Sequence, residues 1–207
     1  HEVKNPLTPI KLTAQRLQRR SNEGRLDARL VAEATETILT EVSSLSRLVD
    51  SFSRFAKLPV PQPRNQDACD LMRQVEALYA PVHTAVHFDL EIPDQPVEVF
   101  WDDDMIKRAL INLVDNAVSA VQDQGRIRLA LAVEAQSIRM EVQDDGTGVP
   151  PEARDRLFEP YFSTKKKGTG LGLAIVRRIA QDHGGEASYH PLAQGSLFCL
   201  ELPTGLS

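Results

Sequence analysis

Over the first 57 residues the apolar positions recur at helical spacing. Val3, Leu7, Ile10, Ala14 and Leu17 alternate in steps of four and three, a narrow seam rather than a broad amphipathic face. SNEG, at Ser21 to Gly24, is a turn signal, after which Val31, Ile38, Leu45 and Phe52 stand seven apart, interleaved with Thr35, Val42 and Val49. Two heptad helices joined by a short turn predict an antiparallel hairpin. A lone hairpin has a thin core, so the seam asks for more helices. A dimer completing a four-helix bundle is the economical answer, and packing against the rest of the chain is the alternative.

The pattern stops in LPVPQPRNQ, where prolines at 59, 61 and 63 cannot continue a helix and predict a semi-extended linker. The expected division is therefore a hairpin over 1–57, a linker over 58–66 and a second domain over 67–207. In that domain both periods occur. A helix is expected from Asp70 through Tyr79, with strands near His87 to Glu91 and Val97 to Trp101. A helix capped near Asp102 runs through Val121, with Asp102 to Asp104 suiting its positive end. Strands follow at Ile127 to Val133 and Ile138 to Gln143, then an irregular stretch to about Gly170. A helix to about Asp182 and strands near Glu186 to Tyr189 and Ser196 to Leu202 complete the chain. Hairpin-like strand pairs on either side of helices predict an α+β sheet covered by helices rather than a βαβ repeat.

Composition narrows the function. A net charge of -5 with no long basic stripe gives no ground for nucleic-acid binding; the densest basic run is Lys165, Lys166, Lys167. Cys69 and Cys199 stand far apart without CxxC spacing and read as reduced packing cysteines. His83 and His87 read better as surface histidines than as a metal pair. No apolar run reaches the roughly 18 residues of a membrane helix, so no membrane contact is expected from this stretch. The chain lacks an initiator Met and opens on a functional-looking residue, which reads as an excised fragment.

Three stretches of the second domain carry candidate chemistry. In KKKGTGLGLAIVRRIA, Gly168, Gly170 and Gly172 lead into an apolar-periodic helix, where backbone N–H groups and the helix dipole can converge on a polyphosphate. The other reading is a plain glycine-rich turn. In VQDDGTGVP a strand ends in Asp144, whose carboxylate either accepts from an exocyclic amine such as that of adenine or only shapes the turn. In RALINLVDNAVSAV, Asn112 and Asn116 share a face opposite Leu110, Leu113, Ala117 and Val121. An amide oxygen is a hard neutral ligand suited to Mg²⁺ between protein and phosphates; a solvated polar face is the alternative. PPEARDRLFEPYFSTKKK, between the glycine motifs, has the length and charge of a mobile lid.

At the start, HEVKNPLTPI puts Asn5 on the helical face of His1, with Glu2 within reach of the imidazole. A neutral imidazole nitrogen is a nucleophile, and a carboxylate on the other nitrogen fixes its tautomer. Pro6 and Pro9 would remove the helical bonds to the Glu2 and Asn5 carbonyls and bend the helix just beyond His1.

Together these stretches resemble bacterial sensor histidine kinases, in the family's order and over essentially the whole chain. HEVKNPLTPI is similar to the H-box of the nitrogen-regulation type, NLVDNA to the N-box, DDGTG to the first glycine box, FEPYFSTK to the F-box and GTGLGL to the second glycine box. The resemblance implies a dimerisation and phosphotransfer hairpin forming a dimeric four-helix bundle, then an α+β ATP-binding domain of the GHKL or Bergerat type. It implies that His1 takes the γ-phosphoryl group of ATP and passes it to an aspartate of a response-regulator receiver domain. Glu2 would be the base, and Asn5 would orient water or the receiver in a reverse phosphatase reaction. The implied nucleotide-binding set is Asn112, Asn116, Asp144, Gly146, Gly148, Lys165, Lys167, Gly168, Thr169, Gly170, Leu171 and Gly172, with Asn116 holding Mg²⁺ and Asp144 reading adenine. It further implies the cytoplasmic portion of a membrane-anchored sensor.

In the family the first helix extends well before the histidine, so a chain starting at His1 is expected to autophosphorylate weakly and to form a weakened dimer while binding ATP well. Two other functions fit part of the pattern. One is a GHKL module using ATP as a conformational clamp, which has no need of the H-box. The other is a fragment acting mainly as a receiver phosphatase.

Overall fold

The structure is a computed structural model that describes residues 4–56, 58–122, 124–165 and 168–204. The chain divides into two compact units: 1–58 with Ser163–Leu171, and Pro59–Phe162 with Gly172–Ser207.

In the first unit α1 (Lys4–Asn22) and α2 (Ala28–Ala56) form the expected hairpin. Asp27 fixes the start of α2, its Oδ1 accepting from the Leu30 N–H at 2.7 Å. Leu30 and Ala34 are buried and Ile38 half-buried, whereas the seam residues Val31, Val42 and Val49 remain exposed on the single chain. Pro9 lies inside α1, where the expected break at the Asn5 carbonyl falls; the Glu2 carbonyl, at which Pro6 was expected to break the helix, lies outside the described residues.

The second unit places three helices on one face of a mixed five-stranded sheet. Its elements are β1 (Arg64–Asp67), α3 (Ala68–Tyr79), β2 (Val86–Glu91), β3 (Glu98–Trp101), α4 (Asp103–Val121), β4 (Gly125–Val133), β5 (Ser137–Asp144), a 3₁₀ turn (Pro151–Arg156), α5 (Gly172–Asp182), β6 (Glu186–Pro191) and β7 (Ser196–Pro203). The sheet runs β2-β4-β5-β7-β6. β4 with β5 and β6 with β7 are antiparallel neighbours, as expected. The pairing around α4 differs from expectation: β2 lies parallel to β4, and β3 pairs instead with β1 in a separate two-stranded ribbon. β1, RNQD, has no apolar alternation to announce it. Its strand comes from the ladder to β3 and from Asp67, whose Oδ1 accepts from the N–H groups of both Cys69 and Val97.

Alternation sets the two faces of the sheet. Ile127, Leu129 and Leu131 of β4 and Ile138, Met140 and Val142 of β5 are buried with Leu71, Met72 and Val75 of α3, Ile106, Leu110 and Leu113 of α4, and Ile175, Val176 and Ile179 of α5. The opposite face is a ladder of charges. Arg128 bridges Glu91 and Glu141 across three strands, which holds its guanidinium firmly protonated, and Arg126 meets Asp89 at 3.3 Å.

Candidate nucleotide-binding site

The buried row of β5 ends in a carboxylate. Residues 137–144 alternate half-buried and buried, and the position that continues Ile138, Met140 and Val142 is Asp144, 2% exposed. Burying a carboxylate is costly unless it is hydrogen-bonded. Here the chain turns back on itself, and Asp144 Oδ1 accepts from the Gly146 N–H at 2.9 Å. The neighbouring Asp145 serves the turn: its Oδ1 accepts from the Arg126 N–H at 2.9 Å, and its carbonyl accepts from Gln194 Nε2 at 3.0 Å.

Glycine is required here for closeness. A Cβ on Gly146 would stand 2.6 Å from the Ala120 carbonyl of α4, so only glycine lets the Asp144 turn lie against that helix. Gly195, in the β6–β7 turn, meets the same strand end from the other side: at φ +85° its Cβ would fall 1.8 Å from the Asp144 carbonyl oxygen. Gly195 escaped the sequence reading because a single glycine before a strand is an ordinary turn signal. Gly148 has φ +68°.

α4 brings its asparagines to the same unit. Leu110, Leu113, Ala117 and Val121 are buried, as their spacing predicts, while Asn112 and Asn116 are half-buried one turn apart. Asn112 Nδ2 donates to the Arg108 carbonyl at 2.8 Å, and a Cβ on Gly172 would meet Asn112 Oδ1 at 3.1 Å. The N-box helix and the start of α5 are thus drawn together. Asp115, between the asparagines, accepts from the Tyr79 hydroxyl at 2.7 Å. Partial burial and this bond push the Tyr79 pKa up, so the hydroxyl stays a donor at physiological pH.

The stretch read as a lid is partly ordered by aromatic contacts. Phe158 meets Phe198 edge-on, and the Arg156 guanidinium sits 4.4 Å from the Phe162 ring centroid. Tyr161 adopts φ +67°, uncommon for a residue with a Cβ. In the segment Ser163–Leu171, the Lys165 N–H donates to Ser163 Oγ at 3.1 Å and the Gly168 N–H to the Lys165 carbonyl at 3.1 Å. Gly170 is left-handed at φ +65°, Thr169 half-buried and Leu171 fully buried. His1, Glu2 and Lys167 lie outside the described residues, as does the side chain of Asn5.

Among the described residues no group of three or more His, Cys, Asp or Glu side chains could hold a metal ion.

A helical hairpin followed by helices on one face of a mixed sheet, with a buried aspartate between glycines and paired asparagines on the adjoining helix, defines a class. Residues 101–206 match the model for the histidine kinase-, DNA gyrase B- and HSP90-like ATPases, and residues 1–59 match that of the His Kinase A phospho-acceptor domain. The chain belongs to the sensor histidine kinase family.

Among its relatives is nitrogen regulation protein NtrY of Azorhizobium caulinodans, 39% identical over 203 residues, or 94% of this chain and 26% of that protein. The chain therefore spans about a quarter of that relative's length. Among solved structures, histidine kinase ThkA in complex with response regulator protein TrrA matches 99% of this chain and 59% of its own at TM-score 0.75 and 27% identity. Full-length ShkA in complex with AMPPNP matches 98% and 46% at TM-score 0.69 and 26% identity. No described helix is long and apolar enough to cross a membrane.

Proposed function

We propose that the chain is the catalytic core of a sensor kinase, which autophosphorylates His1 from ATP and passes the phosphoryl group to an aspartate of a response regulator. The observation that carries the reading is Asp144: a carboxylate, 2% exposed, at the end of an otherwise apolar row and oriented by the Gly146 N–H. Such a group, on a turn held close by Gly146 and Gly195, suits an exocyclic amine and hence adenine. The complexes of ShkA with AMPPNP and of ThkA with TrrA support the nucleotide and the regulator.

In this reading Asp144 holds the base and Gly146 and Gly148 shape its pocket. Asn116, with Asn112 beside it, supplies the amide oxygen for Mg²⁺, which when bound neutralises phosphate charge. Lys165, Lys167 and the run Gly168, Thr169, Gly170, Leu171 and Gly172 supply lysine charge and backbone N–H groups to the phosphates. His1 is the nucleophile, Glu2 accepts its proton, and Asn5 orients water or the receiver when the phosphoryl group is removed. Residues 1–57 form the dimerising phosphotransfer hairpin, 58–66 the linker and 67–207 the ATP-binding domain, within the cytoplasmic part of a membrane-anchored sensor. The exposed Val31, Val42 and Val49 favour a second copy of the hairpin as the covering surface.

The test is Asp144→Asn. Replacing the acceptor oxygen by an amide donor facing an amine is expected to lower ATP affinity by at least about 100-fold, the cost of an unpaired buried group. Calorimetric titration with ATP, with circular dichroism to establish folding, reads it; unchanged affinity in a folded variant would contradict the assignment.

A further inference from the structure

We propose that Asp102 and His183 form a latch that holds the proline-rich connector onto the α/β unit at Gln62, leaving Leu58–Pro61 as the stretch of connector free to bend after the helical hairpin. The inference stands on hydrogen bonds within the α/β unit and does not rest on the nucleotide reading.

The β1–β3 ladder ends at Arg64 opposite Trp101. The next residue after Trp101 is Asp102, whose two carboxylate oxygens are divided between two tasks. Oδ1 caps α4 by accepting from the Met105 N–H at 3.1 Å. Oδ2 reaches out of the helix and accepts from the Gln62 N–H at 2.8 Å, extending the hold on the connector two residues beyond the ladder.

Asp102 is itself pinned from behind. Its N–H donates to His183 Nε2 at 3.2 Å, and His183 Nδ1 lies 2.8 Å from the Ile179 carbonyl. Because Nε2 accepts, Nδ1 carries the proton and donates, so the ring is a neutral imidazole with both nitrogens used. His183 is fully buried at the end of α5. α5 therefore meets α4 near each of its own ends, at mid-helix Asn112 beside Gly172 and, through His183, at the residue that caps α4.

What remains of the connector is short. Leu58 to Pro61 holds two prolines with fixed φ, and Val60 is 83% exposed. A hinge needs only a few residues that absorb the change in backbone angles. Asp102 and His183 are positioning residues: through hydrogen bonds within the α/β unit they set where the chain leaves it.

Asp102→Asn separates the two tasks. The remaining carbonyl oxygen can cap Met105, but the amide that replaces the second oxygen cannot accept from Gln62. Native-state hydrogen exchange on the whole chain is expected to accelerate at the Gln62 amide by about 10-fold, the loss of one hydrogen bond to a charged group, with Met105 changed less than about 2-fold. Nitroxides introduced at Glu36→Cys and Glu186→Cys should report a broader distance distribution between the units. His183→Leu should expose both Asp102 and Gln62 to exchange, and His183→Gln, whose amide oxygen can accept the same N–H, should restore protection. Unchanged exchange at Gln62 in Asp102→Asn, or an unchanged distance distribution, overturns the latch; if His183→Leu unfolds, the Asp102→Asn result decides alone.

Discussion

The two units solve the burial problem differently. In the α/β unit Trp101, Ile106, Leu110, Leu129, Met140 and Ile179 are all essentially without solvent contact. In the hairpin, Leu30 and Ala34 are buried while Leu39, Val42 and Val49 are 47–61% exposed. One unit closes a core within a single chain. The other leaves an apolar row exposed on its own two helices, and in the proposed reading a second copy of the hairpin covers it, which would tie its stability to concentration.

The sharpest way to break this contrast is to truncate one leucine in each unit. Leu110→Ala, at 0% exposure, is expected to cost about 3–4 kcal/mol in denaturant unfolding of the α/β unit. Leu39→Ala, at 61% exposure, should change monomer stability by less than about 0.5 kcal/mol. Equal losses would put a closed core in both units. Val42→Ala should instead lower the dimerisation constant measured by sedimentation.

Glycines give a smaller version of the same contrast. Gly195→Ala puts a Cβ 1.8 Å from the Asp144 carbonyl at a left-handed residue, an expected loss of about 2–3 kcal/mol from overpacking and strain. Gly24→Ala, in the hairpin turn at φ +62° with nothing within 4 Å, keeps only the strain, about 1 kcal/mol. Comparable losses in thermal unfolding would mean that the Asp144 turn is not closely packed.

The smallest effect is in pH. Burial first, then the charge of Glu141, pushes the Cys199 thiol from its ordinary 9.0 up to about 11 in the folded state. A raised folded pKa means stability fully present below about pH 9 and lost as pH rises through 11. Wild type should therefore lose more stability than Cys199→Ala between those values; parallel pH curves would contradict the burial.

Periodicity carried much of this architecture. α4 was legible from cap to end, because Asp102, the acidic first turn and the apolar face agree with one another. The alternation of β5 was legible too, and with it the odd carboxylate that closes it. Partnering was harder. β1 has no pattern of its own, and nothing local in VHFDLE says that it pairs with β4 rather than β3, since strand pairing is decided by the sheet and not by the strand. His183 and Gly195 were missed for a related reason. A lone histidine after a helix and a lone glycine before a strand are common, and their roles appear only where the chain brings Asp102 and Asp144 against them.

The central claim is that the hairpin carries the phosphoryl acceptor and the α/β unit the nucleotide, and His1→Gln tests it most directly. With γ-labelled ATP, the unaltered chain is expected to take up acid-labile, alkali-stable phosphate, and His1→Gln to take up none while binding ATP with unchanged affinity. Label that persists in His1→Gln would contradict the account.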